Sequence, residues 1–167
     1  MLDTFCSSCG TPHTTAPGVY PRRCPGCGQL TFRNPIPVAV ALVPVPGGLL
    51  TVQRAIPPHK GEFALPGGFV DFGEPWQAGC AREVLEETGV TIDPAEITLF
   101  AAHSTPDGAR ILIFGACPPL ADVPALVPNG ETLSLGVYSG YENGAAVALA
   151  FPIHTLVARK WLGCSSG

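Results

Sequence analysis

The sequence predicts an α/β protein with a mixed sheet, fronted by a small cysteine-rich module, and three features point there. Two C-x2-C-G knuckles stand near the N-terminus, apolar strand-like runs lie on both sides of one acidic helical segment, and an amphipathic segment closes the chain. At 167 residues there is room for one ordinary domain plus a small module, and 46% hydrophobic against 13% charged residues describes a compact fold. No run reaches the about 20 apolar residues of a membrane-spanning helix, so no membrane partner is expected.

Cys6-Ser-Ser-Cys9-Gly10 and Cys24-Pro-Gly-Cys27-Gly28 repeat one pattern, with fourteen residues between the pairs. Two residues between cysteines let both sulfurs reach one tetrahedral ion, and the following glycine can take the positive φ that turns backbone amides toward sulfur. A structural zinc ion held by Cys6, Cys9, Cys24 and Cys27 is the expectation, with two disulfides or redox-active thiols as the competing readings. Met1-Leu-Asp-Thr carries no apolar secretory run, which points to a reducing, cytoplasmic compartment, and so short a ribbon needs a staple to fold. The ribbon is expected to span residues 1–34. Cys80 reads as a small core hydrophobe, Cys117 ends an apolar run, and Cys164 sits in a tail expected to fray.

The second domain is expected to span residues 35–167. TFRNPIP reads as a linker, because prolines flanking Ile36 suit no central strand. VAVALVPV and GLLTVQR, separated by Pro46-Gly47-Gly48, read as a hairpin, and FALPGGFV follows as strand and turn. ITLFAAHS and ARILIFGAC flank the turn Thr105-Pro106-Asp107-Gly108, and TLSLGVYS is a further strand. CPPLADVPALVPNG carries no regular pattern. FPIHTLVARKWL reads as a helix with proline at its start and Ile153, Leu156, Val157 and Trp161 along one side.

The segment from Gly68 to Val90, GFVDFGEPWQAGCAREVLEETGV, is the most informative. From Pro75 it reads as a helix, since proline suits a first helical position, Gln, Ala, Arg, Glu and Leu favour helix, and Gly89 suits the residue just past the end. At about 100° per residue, Cys80, Ala81, Val84, Leu85 and Thr88 share one arc and Glu83, Glu86 and Glu87 the opposite one. Carboxylates at i, i+3 and i+4 repel, and no interleaved lysine relieves them. A cation would. Oxygen-only ligands suit Mg2+ or Mn2+, which complete their shells with water and substrate phosphate oxygens. Gly67 and Gly68 let the backbone approach such a ligand, and the Gly67 carbonyl is a candidate further metal ligand.

Gly68, Glu74, Arg82, Glu83, Val84, Glu86, Glu87, Gly89 and Val90 fill every defined position of the 23-residue pattern Gly-x5-Glu-x7-Arg-Glu-U-x-Glu-Glu-x-Gly-U, with U apolar. The segment thereby resembles the signature of the Nudix hydrolases. That resemblance implies an α/β/α sandwich with a mixed sheet, and hydrolysis of a nucleoside diphosphate linked to another group by metal-assisted attack of water on one phosphorus. By position, it implies that Glu83, Glu86 and Glu87 hold the divalent ions, one of them acting as base, and that Arg82 and Glu74 brace the loop against the helix. A further glutamate from a loop beyond the box is often recruited in this family, and Glu131 is the best placed.

A zinc ribbon ahead of such a domain resembles two groups, the NADH pyrophosphatases and a shorter type associated with ADP-ribose or FAD hydrolysis. The region after the box, TIDPAEITLFAAHSTPDGARILIF, has nothing like the Ser-Gln-Pro-Trp-Pro-Phe-Pro motif of the first group, which favours the second. The expected partner is a small nucleotide-sugar or dinucleotide substrate. Phe5, Phe32, Arg54, Phe63, Phe69 and Phe72 are candidates for stacking on it, each as readily a core residue. Removal of an RNA 5′ cap, a catalytically silent scaffold, and hydrolysis of an isoprenoid diphosphate are the alternatives. A homodimer is expected only by analogy.

Net charge of −4 and pI near 5.4 argue against a general nucleic-acid binder. Arg22, Arg23 and Arg33 make the ribbon locally basic, most simply as a solvated face.

Overall fold

The structure, a computed structural model, describes residues 4–16, 18–126, 129–142 and 144–164. The chain divides into two compact units, Met1–Pro35 and Ile36–Gly167.

In the first unit the only regular pairing among the described residues is antiparallel, between β1 (Arg22–Arg23) and β2 (Leu30–Thr31), with a further isolated bridge joining Phe5 and Pro12. The two knuckles have matching backbones: Gly10 N donates to Cys6 O at 2.9 Å, and Gly28 N to Cys24 O at 3.0 Å. Both glycines take the left-handed conformation, φ 72° and 75°, that lets each knuckle close. Of the three arginines expected on a solvated face, Arg23 and Arg33 are exposed, but Arg22 is not. Arg22 is buried, its guanidinium lies 4.8 Å from the centre of the Tyr20 ring, and it donates to Val19 O and Ala16 O.

The second unit is built on β3 (Ile36–Leu42), β4 (Pro44–Val45), β5 (Gly48–Arg54), β6 (Phe63–Ala64), β7 (Gly67–Phe69), α1 (Trp76–Thr88), β8 (Thr98–Ser104), β9 (Arg110–Ala116), β10 (Thr132–Tyr138), β11 (Tyr141–Glu142), β12 (Ala145–Ala146) and α2 (Pro152–Trp161). One sheet has the order β7-β3-β9-β8, with β3 and β9 parallel and the other pairs antiparallel. The other has the order β10-β5-β4, with β6 also on β5, and is antiparallel throughout.

Successive residues of β3 face opposite ways and so define the layers. Ala39 and Ala41 pack with Cys80, Ala81 and Val84 of α1, while Val40 and Leu42 pack with Val157 and Ala158 of α2. The mixed sheet is thus covered by a helix on each face. Cys80 and Cys117 are both buried in the first of these clusters, and the adjacent Cys117 thiol together with burial pushes the Cys80 thiol up, the behaviour of core side chains.

Several boundaries differ from expectation. The supposed linker already belongs to a central strand: β3 starts at Ile36 and includes Pro37. Proline is tolerated because the ladder to β7 begins only at Val38, while the Pro37 carbonyl still accepts Val70 N at 3.1 Å. The expected hairpin is split, since only Pro44–Val45 pairs with β5 and β3 joins the other sheet. Pro75 is the extended cap before α1 and not its first turn, whereas Gly89 closes the helix at φ 76° as its position predicts. In α2, Leu156 is exposed and His154 takes the buried position, alongside Val157 and Ala158. Cys164 is held beyond α2 by its amide, which donates to Arg159 O at 3.0 Å.

Candidate active site

The acidic face of α1 is not a solvated one. Glu83 and Glu87 are 9% and 6% exposed, whereas Glu86 is open and Leu85, expected in the core, is 47% exposed. What covers the two glutamates is the Gly67-Gly68 backbone. A Cβ on Gly68 would collide with the Glu83 carboxylate, and one on Gly67 would collide with Ala39 O and lie 2.8 Å from Val40 Cα. Glycine is required at both places by close approach.

Strand alternation sets the orientation of Gly67. Ala41 N donates to Pro66 O and Val70 N to Pro37 O, so the residues between them that face β3 are the even ones, and Gly67 turns its amide and carbonyl away from β3. The amide donates to Glu87 Oε2 at 3.0 Å. The carbonyl of the same residue leaves on the same side of the strand, which makes it available to a ligand near Glu87.

Arg82 ties helix to loop. Its Nε and Nη2 each reach one oxygen of Glu74 at 3.1 Å, Nη2 also donates to Phe69 O at 2.9 Å, and Nη1 donates to Glu83 at 2.7 Å and Glu86 at 3.3 Å. Glu74 in turn accepts Asp71 N at 3.0 Å. The planar guanidinium satisfies this fork, which an ammonium could not. Its hydrogen bond holds the Glu74 carboxyl below the usual carboxylate range.

The two buried carboxylates, Glu83 and Glu87, shift the opposite way from Glu74. Burial pushes Glu83 up despite Arg82, and pushes Glu87 up to about 8, against the Gly67 hydrogen bond and with Glu83 and Glu131 adding repulsion. A pair of desolvated carboxylates beside an outward carbonyl is an oxygen donor set short of positive charge, and it fits a hard divalent cation.

Asn129 supplies a contact that sequence reasoning missed. Its Nδ2 donates to the Glu87 carbonyl at 3.3 Å, and its Oδ1 accepts the amides of Glu131 and Thr132 at 2.9 and 2.7 Å. The signal available was the Asn129-Gly130 turn dipeptide. With Glu86, Glu87, Gly130 and Glu131, Asn129 lines a cavity of about 330 Å³, so the exposed Glu131 side chain stands at the box carboxylates. A larger cavity of about 450 Å³, between Phe63, Gly136, Tyr138 and Leu149, touches none of the box residues.

In the first unit the ligand atoms of Cys6, Cys9, Cys24 and Cys27 lie within 4.8 Å of one another. Sγ separations of 3.8 Å for Cys6–Cys27 and 3.5 Å for Cys9–Cys24 are far from the about 2.05 Å of a disulfide. They match the roughly 3.8 Å edge of a tetrahedron with metal–sulfur bonds of about 2.3 Å. Gly26 N and Cys27 N point at Cys24 Sγ from 3.3 and 3.5 Å. Hydrogen bonds from Thr11 bring Cys9 down to about 6, while the neighbouring Cys9 and Cys24 thiols outweigh a Gln29 amide and push Cys27 up to about 12. The cluster is compatible with a zinc ribbon.

Comparison with known families decides the relationship, because the model of the NUDIX domain matches residues 34–132. The chain belongs to the NUDIX domain family. Among solved structures, this Nudix chain superposes on a NUDIX hydrolase from Nitrosomonas europaea with a TM-score of 0.73 and 26% identity, over 96% of this chain and 90% of that one. It is 44% identical over 59 residues to a protein named ADP-ribose pyrophosphatase from Methanocaldococcus jannaschii, over 35% of this chain and 34% of that protein. It is 35% identical over 92 residues to the NAD-capped RNA hydrolase NudC of Stutzerimonas stutzeri, over 55% of this chain and 33% of that protein. The Nudix chain therefore spans about a third of the length of these two relatives. No helix among the described residues is long and apolar enough to cross a membrane.

Proposed function

We propose that the chain hydrolyses the diphosphate of a nucleoside diphosphate linked to a second group, an ADP-ribose-like substrate, in a catalytic domain of residues 35–167 carrying a zinc ribbon of residues 1–34. The observation that carries this reading is the burial of Glu83 and Glu87 under the Gly67-Gly68 backbone, with Glu87 pushed up to about 8. Desolvating two carboxylates costs stability and makes sense where a cation is to be held.

In this reading Glu83, Glu86, Glu87 and the Gly67 carbonyl hold Mg2+ or Mn2+, which would neutralise the diphosphate and lower the pKa of a water bound there. Arg82 and Glu74 keep the loop seated on the helix, so that the Gly67 carbonyl stays aligned with Glu87. Glu131 reaches the same cavity from the far side and is a candidate to take the proton of the attacking water, as is Glu87. Names of relatives support the substrate class: one is called an ADP-ribose pyrophosphatase and another an NAD-capped RNA hydrolase. The acidic balance of the chain favours the small-molecule substrate over RNA.

The test is a panel of ADP-ribose, FAD, NADH, NAD, dinucleoside polyphosphates, NAD-capped RNA and isoprenoid diphosphates with Mg2+ or Mn2+, ranked by kcat/KM. ADP-ribose-like diphosphates should lead. A lead by capped RNA or isoprenoid diphosphate would replace this reading, and no cleavage of any member would end it.

A further inference from the structure

The cavity of about 450 Å³ in the second unit touches none of the box residues and has no assigned role. Its volume is that of an ordinary small-molecule site. Strand pairing builds its floor, where Thr51 of β5 stands opposite Gly136 of β10. A Cβ on Gly136 would lie 3.1 Å from Thr51 Oγ1 and 2.7 Å from Phe63 Cε1, so the missing side chain is what leaves room between the hydroxyl and the ring.

Thr51 is 2% exposed, and among the described residues its hydroxyl has no hydrogen-bond partner. It is not sealed in the way Thr132 Oγ1 is: the small part of Thr51 left open includes the hydroxyl and faces the cavity that Thr51 lines. A buried hydroxyl with one free side turned into a cavity calls for a polar partner there.

Aromatic rings form the walls. Tyr138 OH donates to Val147 O at 2.9 Å, and Tyr141 is held by Arg159, whose Nη2 donates to its hydroxyl at 3.3 Å and whose guanidinium lies 5.4 Å from its ring centre. Arg159 itself does not line the cavity. The charged side chains that do are Glu62 and Glu142, both exposed, and Glu62 also meets His59 Nδ1 at 3.2 Å. Carboxylates and ring faces with no basic side chain between them attract a positively charged ring and repel phosphate.

We propose that this cavity is a second ligand site, for an aromatic ammonium cation. The ring packs over Gly136 against Phe63 and Tyr141, and the ammonium donates to Thr51 Oγ1 within the field of Glu62 and Glu142. The site is separate from the box carboxylates and does not depend on the hydrolysis reading.

The test is calorimetric titration of the full chain with benzylamine, benzyl alcohol and benzoate, which carry one ring with positive, no and negative charge, and with adenosine. Benzylamine should bind about tenfold or more tightly than benzyl alcohol, and benzoate should not bind. Glu62→Gln combined with Glu142→Gln should erase the preference for benzylamine and leave benzyl alcohol unchanged. Thr51→Val, which keeps the volume, should weaken benzylamine roughly three- to tenfold. Gly136→Ala should abolish binding by filling the floor; should that variant not fold, Thr51→Val and the glutamate pair decide alone. Absence of benzylamine binding, equal affinity across the charge series, or benzylamine binding unchanged in Thr51→Val overturns the site. Adenosine binding more tightly than benzylamine would also overturn it, by making the cavity part of the nucleotide site.

Discussion

Glu87 Oε2 accepts the backbone amide of Gly67 at 3.0 Å, across twenty positions of sequence. This one bond fixes where helix α1 meets strand β7, and it places a buried carboxylate beside a carbonyl turned out of the sheet. Substituting Glu87→Gln keeps the volume, can keep the bond through the amide oxygen, and removes the charge. Turnover on the best substrate should fall roughly 10²–10⁴-fold while the far-ultraviolet circular dichroism stays native. A variant with near-native kcat would take Glu87 out of the chemistry.

Gly68→Ala puts a methyl group into the Glu83 carboxylate. The strand cannot retreat, since Ala39 and Gly68 are paired in the β3–β7 ladder, so Glu83 must swing away. The expected result is a loss of about 1–3 kcal/mol in denaturant unfolding together with at least tenfold weaker Mn2+ binding by titration. Unchanged metal affinity would show that Glu83 is not a ligand.

Metal binding should release protons. With Glu87 pushed up to about 8 from 4.5, the metal-free protein carries that proton at pH 7, and a cation must displace it. Mn2+ titration in buffers of different ionisation enthalpy should therefore show proton release at pH 7 that fades above pH 8. The same raised value makes folding favour the protonated group: its stabilising contribution is complete below pH 4.5 and is lost as pH rises toward 8. The melting temperature of the metal-free protein should fall over that window through this group, and saturating Mn2+ should flatten the fall.

Arg82→Lys should behave as a severe change. A lysine cannot replace two contacts to Glu74 together with those to Phe69 O and Glu83. We expect at least a tenfold drop in kcat/KM and increased protease sensitivity of the 66–74 loop, read by limited proteolysis. Native-like activity would reduce the Arg82 fork to an incidental contact.

The four thiols predict one zinc per chain by elemental analysis, lost in Cys9→Ser or Cys24→Ser. A chelator strong enough for zinc should abolish the ordered ribbon, observed as collapse of the amide spectrum of residues 4–31, because a structural zinc site supplies the folding energy of so small a unit. A ribbon spectrum indifferent to chelation would favour another role for the cysteines.

Local features were readable in the chain itself. The knuckles and their glycines, the Gly89 stop, and the order of carboxylates on α1 depend on spacing of a few residues, where φ preference and helical period act directly. The family followed from the same spacing. Tertiary structure decided what spacing cannot encode. Glu83 and Glu87 are buried because a distant glycine pair lies over them, Pro37 joins a central strand because its neighbour strand has already ended, and Leu85 and Leu156 are left exposed although the helical pattern puts them on the apolar side. Asn129 reaches the Glu87 carbonyl across 42 positions of sequence, and Thr132 pairs with Arg54 across the β5–β10 ladder. Burial and long-range pairing are properties of packed surfaces, so desolvation, and with it the chemistry of the carboxylates, exists only once the sheet and helices have closed on each other.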